Sequence, residues 1–409
     1  MKNTKKNIIY LAVSQGTNYL LPLLIYPVLI KTVGVSDFGK VSLAIVVMQL
    51  SFLVIEFGFG YSATRIVALN ENRHQFLTKY LFDIILARLM LFLLSTIMLL
   101  FSFYIDAIYE IKELVLIVIA AGFFNIINPN WFLLGLGMLK VMAVNSILSR
   151  GISILAAYLL IDKQSSLIFI TLILIFPYVF YSMASVFFLF KKGYVVCYKP
   201  KLCEIIDVMR DGAYFFFSTL ATSAYTMLTP IILVTVSGTM ALGVFNSANL
   251  VKQGVAGLVA PVIQAVYPKV NVAYNKDKLN ARKFVYKFLK VISGALLLCS
   301  LPFMLYSPFI ASMLFGNYSE DIVETLQLMS FLPILIAINS IIGLLILVPE
   351  GENKKYFKVI ISGGCCCLLF IYPLCYSYGA VGAAMSLIIA ELVVLLGMMS
   401  YLMKTNRSD

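Results

Sequence analysis

Long apolar stretches with almost no charged residues constrain this sequence more than any other feature. Residues 167–190, for example, contain no Asp, Glu, Lys or Arg. A helix of that length rises about 36 Å and exceeds the roughly 30 Å hydrocarbon core of a bilayer. Hydrophobic residues make up 61% of the 409 and charged residues only 12%, a balance that no soluble fold could bury. The sequence therefore predicts an all-α integral membrane protein.

Runs of 18 or more residues with few charges recur along the whole chain and predict twelve transmembrane helices. An even number of spans places both termini on the same side of the membrane. The spans are expected near residues 8–30, 41–62, 81–104, 114–137, 141–161, 167–190, 213–236, 244–267, 291–310, 326–348, 359–377 and 379–402.

The basic residues indicate the orientation of these spans. With the N-terminus inside, the segments on the cytoplasmic side hold 24 of the 31 Lys and Arg, and the outer segments hold only four. This asymmetry is the one that the positive-inside rule requires, and it predicts that both termini are cytoplasmic. The net charge of +12 is therefore mostly a consequence of topology, and no nucleic acid is expected as a partner.

An internal repeat indicates two lobes of six helices. A shift of 204 residues places Gly34, Gly39, Ala44, Gln49 and Arg65 on Gly238, Gly243, Ala248, Gln253 and Lys269, and a shift of 214 places Asn125, Gly137 and Lys140 on Asn339, Gly351 and Lys354. We expect an N-terminal lobe at 1–200 and a C-terminal lobe at 201–409, with a central cavity and alternating access between them. A duplicated bundle that serves as a receptor or scaffold is the alternative.

Charged residues inside the predicted spans are candidate functional groups, because a charge at the bilayer centre costs about 2.5–3.5 kcal/mol. Arg150 and Lys252 lie deepest, and Arg88 is a third candidate. Cations in a low-dielectric cavity attract phosphate strongly, so these three are expected to bind an anionic substrate. In the alternative interpretation, Arg150 and Lys252 form buried ion pairs with Glu56 or Glu391 that fix helix packing.

The carboxylates Glu56 and Glu391 are candidates for coupling to a proton or sodium gradient, since desolvation favours protonation. Permanent structural pairing is their alternative role. The seven Cys and the single His74 show no metal-ligand spacing, so neither a metal site nor a cofactor is expected.

Amide side chains lie along the predicted helices in stripes. Helical spacing places Asn246, Asn249, Lys252 and Gln253 within about 120° of arc. Amides suit sugar hydroxyls, and a Trp can stack on a sugar ring, although amides also serve as ordinary contacts between membrane helices. The predicted polar and aromatic lining consists of Gln15, Asn18, Gln49, Asn246, Asn249, Gln253 and Trp131.

Catalytic signatures are missing from the sequence. It has no Walker motif and no Ser, His and Asp constellation, so secondary transport is favoured over enzymatic activity. A cation-coupled exporter of amphipathic drugs would favour acidic and aromatic residues in its cavity. A lipid-modifying enzyme such as a glycosyltransferase would carry large loops with catalytic acids or His.

Three segments resemble a known family: Tyr10 to Pro22 (YLAVSQGTNYLLP), Val33 to Gly39 (VGVSDFG) and Glu56 to Arg65 (EFGFGYSATR). They are similar to the Wzx-type O-antigen flippases, whose superfamily includes multidrug exporters and lipid II flippases. The resemblance implies transfer of an undecaprenyl-diphosphate-linked oligosaccharide from the cytoplasmic to the periplasmic leaflet of a bacterial inner membrane. It also implies membrane lipids, an O-antigen polymerase and a chain-length regulator as partners.

Overall fold

The computed structural model describes residues 2–194, 202–316 and 320–405, and every regular element in these ranges is a helix. The α-helices are α1 (Lys2–Glu56), α2 (Phe59–Leu69), α3 (His74–Phe101), α4 (Asp106–Tyr109), α5 (Lys112–Ile126), α6 (Asn130–Gly135), α7 (Leu139–Leu160), α8 (Leu167–Lys191), α9 (Leu202–Lys276), α10 (Lys278–Leu305), α11 (Ser307–Phe315), α12 (Glu320–Met329), α13 (Leu332–Ile342) and α14 (Asn353–Thr405). A 3₁₀ turn covers Ser102–Tyr104, and a π-helical turn covers Gly343–Leu347.

Within the described ranges, nine helices are long and apolar enough to cross a membrane. Three of the longest helices, α1, α9 and α14, bend at a glycine with a non-helical backbone: Gly34, Gly238 and Gly379. The apolar parts of α1 and α14 are 44 and 50 residues long. At 1.5 Å per residue these parts measure roughly 66 and 75 Å, more than twice the thickness of the hydrocarbon core.

Four predicted spans are broken in the structure. The span at 291–310 breaks at Tyr306, between α10 and α11. The span predicted at 41–62 is interrupted by Phe57 and Gly58, which both have positive φ. The span at 114–137 breaks between α5 and α6, just before Pro129 at the N-cap of α6, because proline has no N–H to continue the helix. The span at 326–348 breaks between α12 and α13, where Pro333 lies in the first turn of α13.

The chain forms two compact units. One contains Met1–Val33 and Lys40–Ser223, and the other contains Gly34–Gly39 and Ala224–Asp409. In the first unit, a core that includes Phe59, Trp131 and Phe132 packs helices α2, α3 and α6 together. In the second unit, a core that includes Val285, Ile341 and Leu345 joins α10 to α13 and the π-helical turn.

The backbone supports the internal repeat. Gly34 and Gly238 have almost the same conformation, with φ 84° and ψ 169° in one and φ 82° and ψ 176° in the other. Gly137 and Gly351, the second pair related by the repeat, also both have positive φ, at 66° and 80°. Glycine adopts these conformations with little strain, which explains why both members of each pair are glycines.

Inside the second unit, the segment 34–39 packs closely against residues 239–243. A Cβ atom added to Gly39 would lie 1.9 Å from the carbonyl oxygen of Thr239, and one added to Gly243 would lie 2.1 Å from that of Val35. These two contacts are reciprocal, because Val35 and Thr239 are themselves separated by 204 residues. Two glycines of the repeat therefore allow two backbones to meet with no side chain between them.

Candidate functional site

The guanidinium of Arg150 lies in α7 of the first unit and is only half-buried. Its Nη2 donates to Oδ1 of Asn18 on α1, and its Nη1 donates to Oγ of Ser146, one turn earlier on α7. Ser146 Oγ is 2.6 Å from Oγ1 of Thr17. The guanidinium is therefore held between α1 and α7. Both partners are neutral groups, so the positive charge of Arg150 is not neutralised by them.

Two tyrosines of α8 interact with this cation. Tyr178 and Tyr181 both interact electrostatically with Arg150. Tyr178 also packs edge-on against Phe52, with ring centroids 5.5 Å apart. The hydroxyl of Tyr181 donates to Oδ1 of Asn130 over 2.8 Å. Neither tyrosine was among the residues predicted from the sequence, although a tyrosine in mid-span needs a polar partner and so gives a signal.

The carboxylate of Glu56 ends helix α1 and is exposed. It interacts electrostatically with Arg88 and Tyr178, but among the described residues it has no ion-pair partner within 4.0 Å. The ion pair between Arg150 and Glu56, one of the pairings that the alternative interpretation allowed, is therefore not formed in this part of the chain. Glu56 stays a candidate for ion coupling.

The structure places Arg88 in a different role from the predicted one. Its side chain is buried, and Nη1 donates to the carbonyl oxygens of Asn125 and Asn128 at 3.3 and 2.7 Å. These carbonyls lie at the break between α5 and α6, where the helical hydrogen-bond pattern ends. The carbonyl of Asn125 also accepts from the backbone N–H of Asn128 at 3.2 Å, so Arg88 matters most to the carbonyl of Asn128. Arg88 stabilises a broken helix, and its position in the interior does not offer the charge to a substrate.

Trp131 lies in the hydrophobic core and not on a cavity wall. Its side chain is only 2% exposed and makes edge contacts with Tyr80 and Phe132. Stacking on a sugar ring would need an open face of the indole. The other amides predicted in the first unit are better placed, since Gln15 is half-buried and Asn18 and Gln49 are exposed.

In the second unit, Glu391 of α14 is the centre of a buried polar cluster. It is 9% exposed. Its Oε2 accepts from Nδ2 of Asn339 on α13 at 2.7 Å, and its Oε1 accepts from the hydroxyl of Tyr225 on α9 at 3.3 Å. The same Asn339 amide also donates to the backbone carbonyl of Glu391 at 3.0 Å. Three helices of this unit therefore meet at one carboxylate.

Lys252 of α9 lines a small pocket inside the second unit. Ser300 and Ser330 also line it, and the other lining residues are apolar. Lys252 and Glu391 interact electrostatically, but no carboxylate of the described residues lies within 4.0 Å of the ammonium. The buried ion pair that was the alternative role for Lys252 is therefore not formed in this part of the structure.

The three amides predicted beside Lys252 on α9 differ in their exposure. Asn246 and Asn249 are half-buried and Gln253 is exposed. The Oδ1 atom of Asn249 is buried and has no hydrogen-bond partner among the residues that the structure describes, so it can accept a hydrogen bond from a ligand or a water molecule.

The two units use one pair of repeat-related residues for opposite charges. Asn125 and Asn339 are both buried, at 3% and 5% exposure. The backbone of Asn125 contacts the cation Arg88, whereas the side chain of Asn339 contacts the anion Glu391. The repeat predicted the equivalence of the two asparagines. It gave no signal for the exchange of charge, because Arg88 and Glu391 are not equivalent in the repeat.

The part of the chain that the structure describes contains no group of three His, Cys, Asp or Glu side chains able to hold a metal ion.

Comparisons with known proteins agree with this architecture. Residues 4–271 match the family model for polysaccharide biosynthesis proteins. The chain is 28% identical over 395 residues to an Escherichia coli K12 protein named "Putative O-antigen transporter", covering 95% of this chain and 94% of that one. An inward-facing MATE multidrug transporter of the MOP superfamily matches with a TM-score of 0.74 and 17% identity, over 98% of both chains.

A further solved structure, the lipid II flippase MurJ in an inward closed conformation, matches with a TM-score of 0.73 and 15% identity. The match covers 97% of this chain and 87% of that one. The chain therefore has the fold of these two proteins, and its long apolar helices define a multi-pass membrane protein. The chain belongs to the polysaccharide biosynthesis protein family, in agreement with the family resemblance of its sequence.

Proposed function

We propose that this protein flips undecaprenyl-diphosphate-linked O-antigen repeat units from the cytoplasmic to the periplasmic leaflet of a bacterial inner membrane. The observation that carries the proposal is the clamped cation Arg150, held inside a membrane-spanning helix by Asn18 and Ser146. In a soluble protein, an arginine on the surface carries little cost and needs no special explanation. A cation maintained within the membrane needs a functional reason, because it is costly there.

The topology in this proposal has twelve spans and cytoplasmic termini. The long helices α1, α9 and α14 each count as two spans, separated at Gly34, Gly238 and Gly379. The distribution of Lys and Arg supports this orientation. Two lobes of six spans each then alternate between inward and outward access to a central cavity.

The chemistry around Arg150 suits a glycan attached to a diphosphate. The guanidinium can pair with phosphate or an acidic sugar. Tyr178 and Tyr181 offer aromatic faces and hydroxyls, and the exposed amides of Asn18 and Gln49 offer donors and acceptors to sugar hydroxyls. The polyprenyl chain would stay in the bilayer, so no large apolar pocket is required.

Energy for transport would come from a proton or sodium gradient, with Glu391 as the principal coupling group and Glu56 as the second. Glu391 supports this role because it is nearly buried and is oriented by Asn339 and Tyr225 from two other helices. An ion that binds to Glu391 would change its hydrogen bonds and so affect the packing of α9, α13 and α14 together.

Export of cationic amphipathic drugs is the second candidate, and the MATE-like fold favours it. Transport of a related lipid-linked glycan such as lipid II is a variant of the first. The charge of the binding residues discriminates between a cationic drug and a phosphate-linked glycan, because Arg150 would repel the drug and attract the phosphate.

The test is reconstitution of the purified protein into liposomes with a fluorescent undecaprenyl-diphosphate oligosaccharide, whose exposure on each leaflet is read with a membrane-impermeant quencher. Arg150→Gln should reduce the initial rate by about tenfold or more, since hydrogen bonds to charged groups contribute about 1.5–3 kcal/mol. Arg210→Gln, an exposed arginine at the start of α9, is the matched control and should keep the wild-type rate.

Equal rates for the two arginine variants would exclude the role of Arg150. Accumulation of a cationic dye in the same liposomes, increased by Arg150→Gln, would favour the drug exporter instead.

A further inference from the structure

The first half of helix α10 presents a row of lysines to its surroundings. Lys283, Lys287 and Lys290 are all exposed. Their spacing of four and three residues places them within about 60° of arc on one side of the helix. They rise about 10 Å along the helix axis from the first to the last. We call these three residues the lysine row.

The opposite side of α10 is fixed to the rest of the second unit. Ala281, Arg282 and Val285 are buried there. The guanidinium of Arg282 forms a two-pronged ion pair with Glu350, with Nε to Oε1 at 2.6 Å and Nη2 to Oε2 at 2.9 Å. This pair fixes the rotation of the helix about its axis, so the lysine row faces outward as a consequence of packing.

Large apolar side chains lie among the lysines. Leu279, Phe284 and Val291 are 62%, 51% and 60% exposed, and they share the outward side of α10 with the lysine row. A surface that faces only water would have little reason to expose three large apolar residues together. A surface that faces only hydrocarbon would not carry three ammonium groups. The surrounding medium must therefore offer apolar material and negative charge at the same place.

The level of the row along α10 agrees with the edge of the membrane. After Lys290, residues 291–305 contain no charge, and fifteen residues rise roughly 22 Å, less than the roughly 30 Å hydrocarbon core. The segment that carries the row therefore spans the remaining roughly 8 Å of the core and its edge, within reach of the headgroup layer. Lysine stems can lie along the apolar chains there while their ammonium groups reach the phosphates.

We propose that the lysine row and its apolar neighbours bind anionic phospholipid headgroups. The ammonium groups pair with lipid phosphates, and Leu279, Phe284 and Val291 contact the adjacent acyl chains. The acidic groups near this side of the helix are Asp277, which interacts electrostatically with Lys283, and Glu350, which is engaged by Arg282 and lies 4.0 Å from Lys278. Lys287 and Lys290 lie further along the helix, beyond both.

The test uses the full-length protein in nanodiscs that contain a small fraction of photoactivatable phosphatidylglycerol or, separately, photoactivatable phosphatidylcholine. After irradiation, the labelled peptides are identified by mass spectrometry. We expect phosphatidylglycerol to label 279–291 more than phosphatidylcholine does. Each lysine near an anionic surface contributes about fivefold in association, so the triple variant Lys283→Gln, Lys287→Gln and Lys290→Gln should lose the preference.

Two controls make the result specific. A second triple variant, Lys112→Gln, Lys140→Gln and Lys163→Gln, removes three exposed lysines elsewhere and should keep the preference. Added glycerol phosphate in solution should not compete, because it lacks acyl chains. Equal labelling by the two lipids in the wild type would overturn the proposal, as would full competition by glycerol phosphate or the same loss in both triple variants. If the first triple variant does not fold, the single variant Lys287→Gln should still reduce the preference several-fold.

Discussion

Substituting Gly39 by alanine tests whether the close contact between segments 34–39 and 239–243 holds this conformation together. The new Cβ would lie 1.9 Å from the carbonyl oxygen of Thr239, whereas ordinary carbon to oxygen contacts are about 3.3 Å or longer. The two backbones must therefore separate by about 1.4 Å. Because both partners are backbone, no side chain can rotate away to relieve the clash.

The free-energy cost of separating the two backbones can be compared with the gain in helix propensity when Gly is replaced by Ala. Overpacking costs about 1–3 kcal/mol, and a backbone clash belongs at the upper end of that range. Replacing Gly by Ala in a helix gains up to about 1 kcal/mol. The net loss of about 2 kcal/mol corresponds to a decrease of about 4–8 °C in apparent melting temperature for a unit of this size.

The assay is loss of the monodisperse size-exclusion peak after heating the protein in detergent. Gly294→Ala is the matched control, because a Cβ at Gly294 in α10 meets nothing within 4 Å, and its melting temperature should stay equal or rise. Gly243→Ala should resemble Gly39→Ala. The double variant should cost less than the sum of both, since the first substitution already opens the shared contact. Equal shifts for Gly39→Ala and Gly294→Ala would refute the reasoning.

Three further outcomes are expected. Arg88→Met should lower the melting temperature by several degrees, because it removes the 2.7 Å bond to the carbonyl of Asn128, and a buried carbonyl that loses its partner costs about 1–3 kcal/mol; an unchanged value would contradict the helix-capping role. Asn18→Ala should lower the rate of glycan transfer while leaving the melting temperature nearly unchanged, as a freed Arg150 guanidinium loses its orientation; a normal rate would count against the clamp. Asp277 caps α10 by accepting from the N–H of Asn280, which holds the pKa of its carboxyl below 3.8. This contribution is complete above pH 3.8 and fades as the pH falls through the lowered value, so the stability gap between wild type and Asp277→Ala should close in acid, and a gap independent of pH would exclude the cap.

Sequence patterns predicted the parts of this fold that depend on composition and periodicity. The apolar runs located the long helices, and the repeat identified Gly34 and Gly238 as equivalent positions, where the structure has equivalent bends. The first residues of the helices were harder to predict. For example, α10 begins at Lys278 and not near residue 291. Its first three turns are amphipathic and basic, so hydropathy alone assigns them to a loop.

The roles of individual polar residues could be predicted only in part. Arg150 and Asn18 were both candidates, and the structure joins them by a hydrogen bond between helices far apart in sequence. Arg88 and Trp131 carry the same chemical signals as cavity residues, yet both are buried. Burial depends on which side of a helix meets its neighbours, and a helix that is apolar all round gives no periodic signal of that side.

The most direct test of the proposed activity is leaflet exchange of an undecaprenyl-diphosphate-linked oligosaccharide in liposomes that contain the purified wild-type protein. The account predicts that the fraction of labelled lipid reached by an impermeant quencher will rise above that of empty liposomes with time, and that a proton or sodium gradient will change the rate. No transfer of any polyprenyl-diphosphate-linked glycan above the empty-liposome level would contradict it.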